Sequence, residues 1–317
     1  MTVDQLQPAE KPTFYFIGVT TSQSSIMRVF PRWMSHLGRE DVQIVGVDCQ
    51  LHDNPETYRR IVRFIKSDPL SVGGLVTTHK MDLLEAASEL FDGLDPYARM
   101  LGEISSLSKV QGSFWGHAKD PISSGLAYDA IVPVGHWVHT QGELCLLGAG
   151  GSSLALTSYL MKQKPSSEWP KRLVVTNRSQ GRLDHMREVH RQINPGLPVE
   201  YVLAASAQAN DAVVGALKPG SLVVNATGLG KDAEGSPLSD QVCFPQNGLV
   251  WEYNYRGQLR FMEQAQAQQG ARSLTIEDGW VYFIHGWTRV IAEVLNLEIP
   301  TTGPGFEKLC EIAATCR

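Results

Sequence analysis

The chain has 317 residues, 43% of them hydrophobic and 19% charged, with a formal net charge of −5 at pH 7. That length is comfortable for two domains, and the apolar share suffices for sizeable cores, so a soluble globular protein is expected. The mild acidity, without a basic run or aromatics interleaved with arginine and lysine, speaks against nucleic acid as a partner, and the polar first thirteen residues speak against a signal peptide or membrane span.

From Thr13 onward, apolar runs alternate with amphipathic segments. Residues 14–19, 42–47 and 72–77 read as strands; residues 24–37, 54–67 and 81–90 read as helices. Such alternation implies parallel pairing in an α/β layer. The pattern changes at Ile104, where two short β-like runs, 104–110 and 113–117, flank Gln111-Gly112, a hairpin turn. A helix over 123–131 follows, then the break Pro133-Val134-Gly135. Beyond it come strands at 144–147, 172–176, 200–203, 221–225, 249–253 and 274–276. They are interleaved with helices at 182–193, 207–217 and 259–269, and an aromatic-rich helix at 279–297 and a last one at 306–315 close the chain.

The most informative stretch is Gly142–Met161. The apolar run Leu144–Leu147 breaks at Gly148-Ala149-Gly150-Gly151-Ser152-Ser153, and a helical apolar spacing follows. A strand, a glycine turn and a helix aim unpaired backbone N–H groups, at the positive end of the helix, into a space that side chains leave empty, and a pyrophosphate fits there. Gly148 permits the tight turn, Gly150 lets the backbone approach phosphate, and Ser153 takes the small position where helix packs on strand. The next strand ends in Asn177-Arg178-Ser179, with Arg182 one turn on. An acidic residue here would accept from a ribose 2′-hydroxyl, whereas arginines suit a 2′-phosphate, so NADP is expected over NAD.

The five cysteines form no CxxC pair, which reads as a reducing, cytoplasmic compartment. The nine histidines include no HExxH spacing, so no metal is indicated.

Several motifs fall in a familiar order: Gly73-Gly74-Leu75-Val76-Thr77 with Lys80, Gly102-Glu103-Ile104-Ser105-Ser106-Leu107, Asp120 shortly after Gly116, the glycine turn, Asn177-Arg178-Ser179, Asn225-Ala226-Thr227-Gly228-Leu229-Gly230 and Ser236-Pro237-Leu238. With these the chain resembles the shikimate dehydrogenase family from about Phe14 to Trp287. The resemblance implies two α/β domains with a cleft between them: a substrate-binding domain over 1–133, with helices of 285–317 packing back on it, and a Rossmann NADP-binding domain over 134–284. It implies Lys80 and Asp120 as the catalytic pair and Ser22 and Ser24 as ligands of a substrate carboxylate. Thr77, Ser105, Tyr255 and His285 complete the implied substrate side. The implied cofactor residues are Gly148, Ala149, Gly150, Gly151, Ser152, Asn177, Arg178, Ser179, Arg182, Asn225, Ala226, Thr227 and Gly228.

The departures from the family pattern lie on the substrate side. Leu75 stands where an asparagine is usual, the proline before the lysine is lost, and the interval from Thr77 to Lys80 is one residue short. Glu103-Ile104-Ser105-Ser106 replaces AVNT, Ala118-Lys119-Asp120 replaces NTD, and a substrate-contacting glutamine is replaced within Ile284-His285-Gly286. A site that hydrogen-bonds a polyol loses heavily when its amides go, so a substrate other than shikimate is expected.

The reading is an NADP-dependent oxidoreductase of aromatic amino acid biosynthesis type, a monomer or homodimer, that moves a hydride reversibly at a ring hydroxyl or ketone of a cyclic hydroxy acid or cyclitol. Its alternative is a non-catalytic NADP(H)-binding regulatory protein of the same fold. Taken alone, Lys80 also reads as a solvated helix-start lysine, Asp120 as a helix cap, and Ser22 and Ser24 as caps of the first helix. Arg28 and Arg32 read as a solvated face or as charge for an acidic substrate. His79 and His117 read either as proton shuttles or as hydrogen-bonded interior histidines.

Overall fold

Strands such as Thr13–Gly18 and Leu144–Leu147 are buried along their whole length, the pattern of a strand covered on both faces. In the computed structural model, which describes residues 1–194, 196–230 and 233–317, these two runs seed two separate sheets. The chain divides into two compact units, one of residues 1–119 with 284–317 and one of residues 120–283.

The first unit holds β1 (Thr13–Gly18), α1 (Ile26–His36), β2 (Gln43–Asp48), α2 (Pro55–Ser67), β3 (Ser71–Val76), α3 (Lys80–Ala87), β4 (Gly93–Leu94), α4 (Pro96–Leu101), β5 (Ser106–Val110) and β6 (Ser113–His117). Its sheet runs β2-β1-β3-β5-β6-β4, with β1 parallel to β2 and β3 and with β5 antiparallel to β3 and β6. In α1, Ile26, Val29, Phe30, Trp33 and Met34 form a buried stripe at helical spacing. Asn54 caps α2 by accepting from Glu56 N, and Pro55 starts that helix without a donor to lose. Gln111 and Gly112 both take positive φ, the geometry of a two-residue turn whose twist matches that of the β5–β6 hairpin. The very short β4 and α4 carry no period that sequence alone reveals; Asp95, which accepts from Ala98 N, starts α4.

The second unit holds α5 (Asp120–Ile131), α6 (His136–Thr140), β7 (Leu144–Leu147), α7 (Gly151–Gln163), β8 (Leu173–Asn177), α8 (Gln180–Ile193), β9 (Val199–Leu203), α9 (Ala207–Gly215), β10 (Leu222–Asn225), β11 (Leu249–Glu252), α10 (Arg260–Gln266), α11 (Gln269–Arg272) and β12 (Thr275–Glu277). All five pairings are parallel, and the order β9-β8-β7-β10-β11-β12 is that of a doubly wound dinucleotide-binding sheet. The order reverses between β7 and β10, the switch point where such sheets open a crevice. Two helices close the chain: α12 (Trp280–Leu295), which passes from the second unit to the first, and α13 (Gly303–Ala314) in the first unit.

The motifs place the division after residue 133, whereas the compact units divide between Lys119 and Asp120. Helix α5 lies along α7: Tyr159 donates to Asp129 at 2.6 Å, and Lys164 pairs with the same carboxylate at 2.8 Å. Arg28 and Arg32, which read as a solvated face or as substrate charge, are both exposed and also hold the C-terminal end, donating to Cys316 O at 2.7 Å and Thr315 Oγ1 at 2.5 Å.

Candidate functional site

At the end of β7, Gly148 turns the chain with φ +113, and a Cβ there would meet the Ala226 carbonyl at 2.9 Å. Only glycine suits that position. The turn is tied on three sides: Gly148 N donates to Thr176 O at 2.9 Å, Ala226 N donates to Leu147 O at 2.9 Å, and the fully buried Ser153 hydroxyl donates to Gly148 O at 2.6 Å. Gly150 differs: a Cβ there would meet nothing within 4 Å. It occupies the N-cap of α7 and no side chain caps that helix, so the first-turn N–H groups remain available to a ligand.

These features border a groove of about 620 Å³. Ten of the expected cofactor residues line it: Gly148, Ala149, Gly150, Asn177, Arg178, Ser179, Arg182, Ala226, Thr227 and Gly228. Gly151 and Ser152 form the first turn of α7 beside it. Asn225 is fully buried and does not line it; its amide is bound within the unit. The chain after β8 is held by an Asx turn in which Ser179 N donates to Asn177 Oδ1 at 2.9 Å. Arg178 and Arg182 are exposed on the groove wall, and among the described residues neither is paired with a carboxylate.

Sequence reasoning missed Thr176, Ala204, Ala205, Ser206, Asn210, Leu229 and Ala233 on the same wall. The available signal was positional, since Ala204 follows β9 as Arg178 follows β8, at the carboxyl edge of a parallel sheet. The stretch 162–171, which lengthens the interval before β8, lines no part of the groove. It packs down through Trp169 Nε1, which donates to Leu160 O at 3.0 Å, and its Glu168 carboxylate accepts from Gly135 N at 3.2 Å, at the start of α6.

In the first unit, the expected substrate residues gather at the carboxyl ends of β1 and β3. Thr77 N donates to Ile17 O at 3.0 Å, and Val76 N donates to Ser105 O at 2.9 Å. Lys80, partly buried, is the first residue of α3, and its carbonyl accepts from Ile104 N at 3.2 Å. Between them Thr78 takes φ +63, an uncommon conformation for a β-branched residue. Ser22 is exposed in the short turn after β1 and Ser24 is buried; the N-cap of α1 falls to Ser25 instead. Ser105 is 2% exposed, and its hydroxyl accepts from Lys119 N at 2.8 Å.

His79 and His117 of this unit differ. Nδ1 of His79 lies 3.1 Å from the Tyr58 hydroxyl, and burial lowers the ring's pKa while the nearby Gly18 backbone opposes that. His117 Nε2 lies 2.9 Å from Ser108 Oγ and 3.4 Å from Glu293, which in turn binds Lys119 Nζ at 2.6 Å. Burial lowers the pKa of His117, and the facing Glu293 carboxylate opposes that. His285, expected at the substrate, is 2% exposed and stacks on Phe306 with ring centroids 4.2 Å apart; burial drives its pKa down to about 4. Its Nδ1 is buried without a hydrogen-bond partner among the described residues.

In the second unit, Asp120 starts α5 and its carbonyl accepts from Ser124 Oγ at 2.6 Å. Tyr255, partly buried, joins Trp280 and Phe283, with centroids 5.2 and 4.7 Å away. Tyr253 stacks on Trp251 at 4.3 Å, and burial raises its phenol pKa, with Asp120 adding to the shift. Among the described residues no cluster of His, Cys, Asp and Glu could hold a metal ion, and no helix is long and apolar enough to cross a membrane.

No protein-family model matches the chain. Among curated proteins it is similar to the shikimate dehydrogenase (NADP(+)) of Lactococcus lactis subsp. cremoris, at 26% identity over 189 residues, 58% of this chain and 61% of that protein, so the chain spans under two thirds of that relative. The shikimate dehydrogenase (NADP(+)) of Paramagnetospirillum magneticum is 25% identical over 270 residues, 85% of this chain and 87% of that protein. Among solved structures, shikimate dehydrogenase from Aquifex aeolicus superposes with a TM-score of 0.72 at 16% identity, covering 98% of this chain and 99% of that one. Quinate dehydrogenase from Corynebacterium glutamicum, in complex with NAD, gives 0.72 at 18% identity, covering 96% and 99%. The resemblance read from the motifs is therefore borne out at low identity, and the fold is that of the two-domain shikimate and quinate dehydrogenases.

Proposed function

We propose that this chain is an NADP-dependent dehydrogenase that moves a hydride reversibly at a ring hydroxyl or ketone of a cyclic hydroxy acid or cyclitol, a small-molecule substrate other than shikimate. One observation carries the reading: a groove at the β7/β10 switch point whose floor is an uncapped helix start with open space over Gly150, and whose wall after β8 presents Arg178 and Arg182, with no acidic residue on it among the described residues. The groove suits NADP. Gly150, Gly151 and Ser152 would hold the pyrophosphate, Arg178 and Arg182 the 2′-phosphate, and Ala226, Thr227 and Gly228 would flank the remainder. The cofactor supplies the hydride when bound.

The chain's own part is to bind, orient and move a proton. Lys80 is proposed to deliver the proton to the developing alkoxide or to stabilise its charge, and Asp120, the other member of the proposed catalytic pair, to accept from a substrate hydroxyl. Ser22, Ser24, Thr77, Ser105 and Tyr255 are proposed for substrate recognition. With Leu75 in place of an amide, the site would favour a ring with fewer polar contacts than shikimate.

The test has two steps. NADPH and NADH are titrated by fluorescence, and turnover is then measured on shikimate, quinate, their keto forms, aminoshikimate and several cyclitols. Tight NADPH binding with turnover of a ring other than shikimate supports the proposal, whereas efficient turnover of shikimate overturns its substrate part. NADPH binding without turnover of any ring supports the non-catalytic regulatory alternative, and absence of NADPH binding overturns the cofactor assignment.

A further inference from the structure

Glu252 is a carboxylate with no exposed surface, at the last position of β11, directly beside Asn225 at the last position of β10. Three N–H donors converge on it: Asn225 Nδ2 reaches Oε2 at 2.6 Å, while Asn254 N and Asn254 Nδ2 reach Oε1 at 2.8 and 2.7 Å. The other end of the Asn225 amide faces the groove loop. Its Oδ1 accepts from Thr227 N at 3.1 Å and from Thr227 Oγ1 at 2.6 Å, and Thr227 Oγ1 accepts from Leu229 N at 3.2 Å. Thr227 and Leu229 line the groove, whereas Asn225 and Glu252 do not.

The amide of Asn225 has one donor end and one acceptor end, and Glu252 at 2.6 Å, aided by a longer contact of the same NH2 to Leu229 O at 3.5 Å, decides which way round it sits. A carboxylate only accepts, so the NH2 end must face Glu252 and the oxygen must face Thr227. We propose that Glu252 is a positioning residue: by fixing the orientation of Asn225 it holds the groove-lining loop 226–229 in the conformation that receives the dinucleotide. The cofactor part of this inference rests on the reading of the groove as the NADP site; the loop part does not. Burial pushes the Glu252 carboxyl up to about 7, and the three donors oppose that shift while Asp278 adds to it.

The chemistry allows a donor–acceptor exchange as a test. In Glu252→Gln the new Oε1 still accepts from Asn254, but Nε2 faces the Asn225 NH2, donor against donor. If Asn225 turns round, its NH2 then meets the Thr227 N–H donor against donor, and only the Thr227 hydroxyl, which can turn to accept, keeps a partner, so the loop loses part of its brace either way. Adding Asn225→Asp restores the match, because the introduced glutamine donates to one oxygen of the introduced aspartate while the other oxygen accepts from Thr227.

Wild type, E252Q and E252Q/N225D are compared by NADPH titration and by amide hydrogen exchange of Thr227 and Leu229 in the cofactor-free protein. E252Q is expected to weaken NADPH at least tenfold and speed exchange at both amides at least tenfold, with the double variant within threefold of wild type in both. Unchanged exchange in E252Q, or a double variant no better than E252Q, overturns the proposal; a general packing defect would not be rescued by a second substitution. If E252Q does not fold, folding of the double variant with wild-type exchange supports the proposal and its failure to fold overturns it. Should wild type bind no NADPH, the groove assignment falls, and exchange alone then decides the role of Glu252.

Discussion

The Ser153 hydroxyl donates to the Gly148 carbonyl at 2.6 Å, five residues back across the turn from β7 to α7, and both lie away from water or against the Ala226 backbone. The turn is thus braced from inside by a serine, while its outer edge at Gly150 stays bare. Two glycines two residues apart consequently carry opposite constraints: Gly148 answers to the fold and Gly150 to whatever enters the groove.

Gly148→Ala is expected to destabilise the protein, since the side chain needs an unfavourable φ and closes on the Ala226 carbonyl, at a cost of about 2 kcal/mol. Gly150→Ala is expected to melt within a few degrees of wild type yet weaken NADPH at least tenfold, because its methyl enters empty groove. Thermal melts and NADPH titrations of the pair check this. Equal affinity in Gly150→Ala would remove that glycine from the cofactor contact.

Replacing Arg178 and Arg182 together by glutamine is expected to weaken NADPH about 10- to 100-fold, the scale of charge-assisted hydrogen bonds to a phosphate, and to leave NADH binding within threefold. Parallel titrations with both cofactors read the ratio. A uniform loss for both would show that the arginines do not read the 2′-phosphate.

For the catalytic assignment, Lys80→Met and Asp120→Asn are each expected to lower turnover by about 10²- to 10⁴-fold, the usual contribution of a proton-transfer group, with NADPH affinity unchanged. Stopped-flow measurement of hydride transfer on the substrate found in the panel is the check, and full activity in either variant would take that residue out of the mechanism.

Acid should destabilise the fold through His190. Its ring lies between Tyr201 Oη at 2.7 Å and Thr157 Oγ1 at 2.8 Å, and burial drives its pKa down to about 4. The folded pKa lies below the unfolded one, so the stabilising effect is present above about pH 6.5 and is lost as pH falls toward 4, by about 3 kcal/mol in all. His285 contributes in the same sense, and the raised pKa of Glu252 in the opposite sense between about 4.5 and 7. Denaturant melts of His190→Gln and wild type from pH 4 to 7.5 isolate the histidine: the difference between them should shrink steadily with acid. A constant difference would mean that His190 is not held neutral.

Local chemistry made much of this protein legible in one dimension. Apolar runs with no polar face marked the parallel strands, the stripe from Ile26 to Met34 marked a helix, and Gln111-Gly112 marked a hairpin, because each depends on side chains within a few residues of one another. The glycine turn and the arginines after β8 were legible for the same reason, and seven residues named from these two stretches line the groove, with Ala226, Thr227 and Gly228 of a third motif beside them. Other features were not legible, because they come from contacts far apart in sequence. Asn225 reads as a groove residue within its motif, yet a carboxylate 27 positions away draws its amide inward. The stack of Phe306 on the His285 ring, and the C-terminal carbonyl and hydroxyl that meet the exposed Arg28 and Arg32, are likewise invisible in the local sequence. A side chain's chemistry is written in its own residue, but its partner is chosen by the sheet order and helix packing, which place near one another groups that no local pattern connects.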